Sequence, residues 1–401
     1  MGKSNAIVGQ SGGPTSVINA SLAGVAAEAG KADAIGSVLG MRWGVEGFLE
    51  DLVIDLGKET PETLEALKAT PSSALGSCRY KLKDEDLPRV LEKLKKYDVR
   101  YLFLIGGNDT MDTIHRVEAF ARQDGYDLIG VGIPKTVDND LYGTDHTPGF
   151  PSAARYVAMS VLQAGVLARD MQRVDQFTIF QTVGRDSGWL AAAGALAKHA
   201  EEDGPHLIYM PERAFDPEQF LANVEACQKQ YGWVSILCGE GIVLSDGRPV
   251  SAATATDKFA NVEFGAMGGA SAAMVLHRMI SDRFGFRGEF QVTESLSMCA
   301  ADRATALDIE EAYQAGRRAV ALAANGQSGV MVTLERKSND PYTCGTGTIA
   351  LSEAANRAKR MPDAYINEAG NFPSAAFLDY ARPLVGALPE YAKLAGHLVR
   401  A

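Results

Sequence analysis

"LFLIGGNDTMDT", residues 102–113, decides what kind of sheet the rest of the chain has to complete. Leu102 to Ile105 form an unbroken apolar run. Two glycines follow, then Asn108, Asp109 and Thr110, and then a helical pattern. An apolar run without polar alternation suits a strand covered on both faces, which means a parallel sheet between helices. Glycines at the carboxyl end of such a strand let a ligand meet the backbone, and the helix N-terminus behind them favours phosphate. Asp109 at the tip works against that, because its charge repels phosphate. Its position therefore limits which phosphate compound fits.

The same rhythm extends in both directions. "NAIVGQ" (5–10), "AIGSVLG" (34–40), "DLIGVGIPKT" (127–136), "QFTIFQTVG" (176–184), "HLIYMP" and "WVSILCGEG" read as strands, with helical patterns between them at 15–30, 87–97, 111–123, 151–172 and 216–230. Strands alternating with helices give an α/β fold with mainly parallel sheets. The 401 residues exceed one core and suit two Rossmann-like domains. We place a first domain at 1–140, with part of about 255–310 returning to it. A second covers 141–254 plus 311–401, and the Gly/Pro-rich "DNDLYGTDHTPGFP" marks the crossing.

Net charge is −11, which argues against nucleic acid as a partner. No run approaches the ~18 apolar residues of a membrane span. The N-terminal stretch has neither a signal-peptide nor a myristoylation layout. Five scattered cysteines without metal-ligand spacing fit reduced thiols, and we expect a cytoplasmic protein.

Each glycine-rich stretch ends a strand. "GQSGGPTSVINA" offers backbone N–H groups, yet it matches neither the P-loop nor the dinucleotide fingerprint. Read alone, it fits an anion site and a tight turn equally. "GSCRYKL" carries Arg79 and Lys81 in a glycine-led loop, where a solvated pair is the plainer interpretation. "PKTVDND" gathers Lys135, Thr136, Asp138 and Asp140 after an apolar strand. Asp and Asn also suit turns, but a carboxylate there can act as a general base and a lysine can neutralise a moving phosphoryl group. "TVGRDSG" presents Val183, Gly184 and Arg185, and arginine can hold phosphate oxygens bidentately. Glu240 stands between glycines in "GEG", where it suits sugar hydroxyls or a turn. His146 has no histidine partner at metal spacing and reads as a loop residue.

As an ordered set, "SGGPTSVINA", "GSCRYKL", "IGGNDT", "PKTVDND", "TDHTPGF", "VGRDSGWLA", "GEG", "LDIEEAYQAGRRAV" and "YARPLVG" resemble the phosphofructokinase family over most of the chain. The resemblance implies two Rossmann-like three-layer domains with the site between them. It implies phosphoryl transfer to the 1-hydroxyl of fructose 6-phosphate, Mg²⁺ as cofactor, and a homodimer or homotetramer with sites built partly across subunits. By position, Gly12 would contact the phosphoryl donor and Arg79 the transferring phosphate. Asn108 falls where the family usually has a metal-associated aspartate. Asp138 matches the base, with Thr136 and Asp140 beside it. Val183, Gly184 and Arg185 match the segment that holds the sugar phosphate, and Glu240 matches the glutamate on its hydroxyls. Where ATP-using members place glycine, this chain has Asp109, and Lys135 is similar to pyrophosphate-using members. A carboxylate opposed to an α-phosphate disfavours ATP by on the order of several kcal/mol. The expected donor is therefore pyrophosphate, in a reversible step of glycolysis and gluconeogenesis. The family's Gln-Arg pair for the 6-phosphate is missing from "GEFQVTESLSMCAADR", which leaves Arg283 or Arg287 to replace it. Sedoheptulose 7-phosphate thus stays open as the sugar. ATP-dependent transfer and a non-catalytic sugar-phosphate sensor are the competing functions.

Overall fold

The computed structural model describes residues 3–251, 270–355 and 357–394. Its strands are β1 (Ser4–Gln10), β2 (Ile35–Met41), β3 (Val53–Asp55), β4 (Val99–Gly106), β5 (Ile129–Pro134), β6 (Phe177–Thr182), β7 (Leu207–Tyr209), β8 (Val234–Gly239), β9 (Gly288–Val292), β10 (Val330–Asn339) and β11 (Tyr342–Ala350). The longer helices are α1 (Ile18–Ala29), α2 (Leu87–Lys96), α3 (Asn108–Gln123), α4 (Phe150–Met171), α5 (Pro217–Tyr231), α6 (Ala272–Phe284), α7 (Ala306–Ala324) and α8 (Ala375–Val385).

Two sheets result, with orders β11-β10-β5-β4-β1-β2-β3 and β7-β8-β6-β9. The second is parallel throughout. The first is parallel except at its edges, where β3 and β11 run antiparallel to their neighbours. β4 lies where its sequence demands: Leu102, Phe103, Leu104 and Ile105 are each at most 2% exposed. Burying each such side chain contributes about 1.5–3 kcal/mol.

Winding in the first sheet reverses between β1 and β4, which pair with Ile7 opposite Leu102 and Gln10 opposite Ile105. Ligands of open α/β sheets settle at such a reversal, beyond the carboxyl ends of the strands. Here that point lies between the Gly12 loop and the Asn108 turn.

Sheet membership departs from the expected segments. Within 255–310, α6 packs in the second sheet's core and β9 pairs with β6, while Ile309 at the start of α7 packs against Val17 and Ala20 beside the first sheet. β10 joins β5 through Val330 and Met331, and its hairpin with β11 completes the first sheet. α7 crosses back as well and packs on α1. The contact is backbone on backbone. A Cβ on Gly24 would lie 2.2 Å from the Tyr313 carbonyl oxygen, and one on Gly316 would lie 2.1 Å from that of Ser21.

Candidate active site

The first sheet brings three strand ends to one place. After β1, Gly12 adopts φ +77°, a left-handed conformation that glycine tolerates. Its N–H donates to the Cys78 carbonyl at 3.2 Å, and Ser77 Oγ donates to its carbonyl at 2.5 Å. The Arg79 loop is thereby tied to the Gly12 turn. Lys135, after β5, reaches across to the same turn: Nζ donates to the Gly13 carbonyl at 2.6 Å. A Cβ on Gly12 would stand 3.1 Å from that ammonium. Lys135 is 3% exposed, and burial lowers its pKa to about 8. Asp138 and Asp140 oppose that fall, and Arg79 adds to it. After β4, Asn108 and Asp109 open α3, with Asp109 exposed in the first turn. Asn108 Oδ1 is buried and has no hydrogen-bond partner, an acceptor in need of a donor.

Residues 135–149 connect β5 to α4. Asp138 is half-buried here, and removal from water raises its carboxyl to about 7. The charges of Asp140 and Glu240 push the same way, while Lys135 and Arg185 pull back. Its N–H donates to Thr136 Oγ1 at 3.1 Å, and its carbonyl accepts from Ser187 Oγ at 2.7 Å. That second bond joins it to the far sheet. There, after β6, Gly184 has φ +123° and donates its N–H to Glu240 Oε1 at 3.2 Å. Burial raises Glu240 to about 7 too, against its bond with Gly184 and the nearby Arg185. Val183 is half-buried against the core beneath. Gly241 lets the strand ends meet, since a Cβ there would overlap the Arg185 carbonyl at 1.5 Å.

Gly12, Asn108, Asp109, Lys135, Thr136, Asp138, Asp140, Val183, Gly184, Arg185 and Glu240 therefore all lie on strand-end loops around one cleft, and the Arg79 loop is held to it through Gly12. Arg287 does not join them. It precedes β9, accepts from Gln176 N–H at the amino end of β6, and pairs with Asp175 at 2.8 Å. Arg283 pairs with Glu218 at 3.6 Å on that same side. Parallel strands put Arg287, just before β9, at the opposite end from this protomer's cleft. Residues 293–299, following β9, do reach the cleft. Ser16 Oγ donates to the Met298 carbonyl at 3.4 Å, and Met298 Sδ packs toward Gly13.

Three residues escaped the sequence reading. Asn139, between the two aspartates, is fully buried with φ +56°. Asn is among the few residues that enter this region readily, so its place between acidic neighbours was the available signal. Lys359 and Tyr380 bond to it from far along the chain, which no local pattern announces. His146 is more than a loop residue: fully buried, it lies 2.8 Å from Asp145 and 2.7 Å from Glu311. Among the described residues no cluster of three or more His, Cys, Asp or Glu side chains could enclose a metal. All five cysteines are free, and no described helix is long and apolar enough to cross a membrane.

The phosphofructokinase family profile matches residues 5–323. The chain belongs to the phosphofructokinase family. The chain is 38% identical to a pyrophosphate--fructose 6-phosphate 1-phosphotransferase of Methylococcus capsulatus, covering 98% of this chain and 96% of that one. A crystal structure of a pyrophosphate-dependent phosphofructokinase from Marinobacter aquaeolei superposes with a TM-score of 0.86 at 36% identity, covering 99% and 98% of the two chains. A sulfofructose kinase of Alkalicoccus urumqiensis is 33% identical, covering 90% and 91%.

Proposed function

We propose that this phosphofructokinase moves a phosphoryl group from pyrophosphate to the 1-hydroxyl of fructose 6-phosphate, giving fructose 1,6-bisphosphate and phosphate. The observation that carries the reading is the pairing of Asp138 with Lys135 in one cleft. The carboxyl is raised to about 7, within reach of both ionisation states at neutral pH. The ammonium faces the glycine turn at the switch point. Names borne by relatives at 36–38% identity point the same way.

In this reading Asp138 accepts the proton of the 1-hydroxyl. The sugar oxygen bonds to the near phosphorus, the bridging P–O bond breaks, and its electron pair leaves with phosphate. Lys135, Arg79 and Arg185 balance the charge on the moving group, and positioning supplies the rest. Glu240 holds the sugar hydroxyls and Gly184 orders the backbone beside it. Asp109 closes the route that an α-phosphate would take and leaves the two-phosphoryl donor room. Pyrophosphate and a phosphate ester store similar free energy, so the reaction runs both ways.

Mg²⁺ fits the residues present. Asn108 Oδ1 is a buried acceptor without a partner and suits a metal-bound water, while pyrophosphate oxygens supply the charged ligands that the protein lacks here. When bound, the ion neutralises charge on those oxygens. A homodimer or homotetramer and a cytoplasmic setting complete the proposal.

A second sugar stays open because Arg283 and Arg287 pair with Glu218 and Asp175, which leaves no residue assigned to the group at the sugar's far end. The group at the sugar's far end could then be the sulfonate of sulfofructose, or belong to a seven-carbon chain. Initial rates with fructose 6-phosphate and Mg²⁺, offering pyrophosphate or ATP, test the donor. Faster turnover with ATP would overturn it. The same assay with sedoheptulose 7-phosphate and sulfofructose ranks the sugars.

A further inference from the structure

Residues 357–361 form a strap that crosses beneath the loop carrying Asp138. Ala358 bridges to Leu141 in antiparallel fashion, and the Lys359 N–H donates to the Asp140 carbonyl at 2.7 Å. Arg357 Nη1 donates to the Tyr142 hydroxyl at 3.1 Å. The strap thus holds the backbone directly after the two aspartates. The Lys359 side chain then turns under the same loop. Its Nζ lies 3.0 Å from Asn139 Oδ1, 2.7 Å from the Asp145 carbonyl and 3.3 Å from that of Thr144, and 4.9 Å from the centre of the Trp189 ring.

Asn139 is where this matters. Its φ of +56° belongs to a region that L side chains seldom occupy. Such a conformation persists where the surroundings over-determine it. Oδ1 accepts from both Thr147 N–H and Lys359 Nζ, and Nδ2 donates to the Tyr380 hydroxyl at 2.9 Å. The left-handed turn sends the residues on either side of Asn139 away from the core, so Asp138 and Asp140 reach the cleft while Asn139 stays buried. Without the clamp, that turn relaxes and both carboxylates move.

We propose that Lys359 is a positioning residue for the reaction, clamping the Asn139 turn and so fixing where the Asp138 and Asp140 carboxylates stand. The inference rests on the reading of Asp138 as the base. The charged groups facing Lys359 are the carboxylates of Asp145 and Asp140, which favour the ammonium, and the guanidinium of Arg336, which opposes it. Burial is the largest influence and brings the ammonium down to about 7. Asp145 is itself held by Arg336 Nη2 at 2.9 Å, so the clamp is anchored to β10.

The test compares wild type with Lys359→Met, Tyr380→Phe and Asp138→Asn, using pyrophosphate, Mg²⁺ and fructose 6-phosphate. A displacement of about 1 Å at the reacting group lowers turnover about 100-fold. Lys359→Met should lose that much kcat while both KM values stay within about threefold. The acid limb of its kcat profile should move to higher pH, since the carboxylate pair loses a neighbouring cation and takes its first proton more readily. Aminoethylated Lys359→Cys should recover most of the loss, with identically treated wild type as control. Wild-type kcat in Lys359→Met would overturn the inference. So would a loss of kcat with the acid limb unmoved, or aminoethylation that restores the melting temperature and leaves kcat low. If Lys359→Met does not fold, Tyr380→Phe decides: a drop in kcat of about tenfold with KM unchanged supports the clamp, and wild-type kcat rejects it. Near-wild-type turnover in Asp138→Asn would instead sink the base assignment, a failure distinct from that of the clamp.

Discussion

In the function proposed above, Asp109 sets donor choice and Asp138 the pH dependence. Asp109 is exposed in the first turn of α3, so replacing it leaves the core untouched. Asp109→Gly should gain measurable ATP turnover and keep most of its pyrophosphate activity, as steady-state kinetics with each donor will show. A variant still blind to ATP would mean that something other than this carboxylate excludes the nucleotide. Asp138→Asn should lower kcat by about 100- to 10,000-fold with little change in melting temperature. Asp138 must be ionised to accept a proton, so kcat/KM should rise as pH climbs through about 7. Lys135 must stay charged, so it should fall again above about 8. A profile flat from pH 6 to 9 would contradict both roles.

Elements differ in how openly the sequence declares them. β1, β4, β5, β6 and β8 are mostly apolar, and each is buried over most of its length. β9 was overlooked because it is an edge strand with Glu289 and Phe290 exposed. The β10–β11 hairpin mixes Thr, Gly and charge in its outer half, a pattern that suits solvent as well as a sheet. Charged residues that end strands, such as Lys135 and Arg185, stand out in the sequence because a charge straight after a buried strand needs a purpose, and the fold places both beside the Asp138 loop. Arg287 stands just before a strand, and the sequence alone does not say which arginine faces a cleft. Lys359 was invisible since its bond to Asn139 spans 220 positions. The α1–α7 contact was equally hidden in its two glycines. Gly24→Ala should destabilise by about 1–3 kcal/mol through crowding against Tyr313, outweighing the ~1 kcal/mol that alanine brings to a helix. Chemical denaturation will tell, and a more stable variant would mean that the helices do not approach so closely.

Across the whole molecule, a buried polar network couples the two sheets. Asp308 on α7 accepts from Gly149 N–H at 2.9 Å and Ser152 N–H at 3.1 Å, capping α4 from the opposite domain. Beside it, His146 has a carboxylate at each ring nitrogen, an arrangement that suits imidazolium, with both nitrogens donating. Burial pulls the His146 pKa down, yet its bonds to Asp145 and Glu311 leave it raised. A folded-state pKa above the unfolded value means that this stabilisation is fully present below about pH 6.5 and fades as pH rises through the raised value. His146→Gln should therefore cost about 3 kcal/mol near pH 6 and less near pH 9. Melting curves across that range check the sign, and a penalty that grows with pH would refute it.

The return of the β10–β11 hairpin to the first sheet also bears on how the chain emerges during synthesis. The second sheet spans one stretch, 177–292, whereas the first needs residues up to 350 to cover the open edge of β5. On the ribosome, the later-made sheet is the earlier one to have all its strands. The N-terminal strands must wait, with an unpaired edge, for residues 330–350 to arrive, and that interval is when the nascent protein is most open to aggregation and most in need of a chaperone.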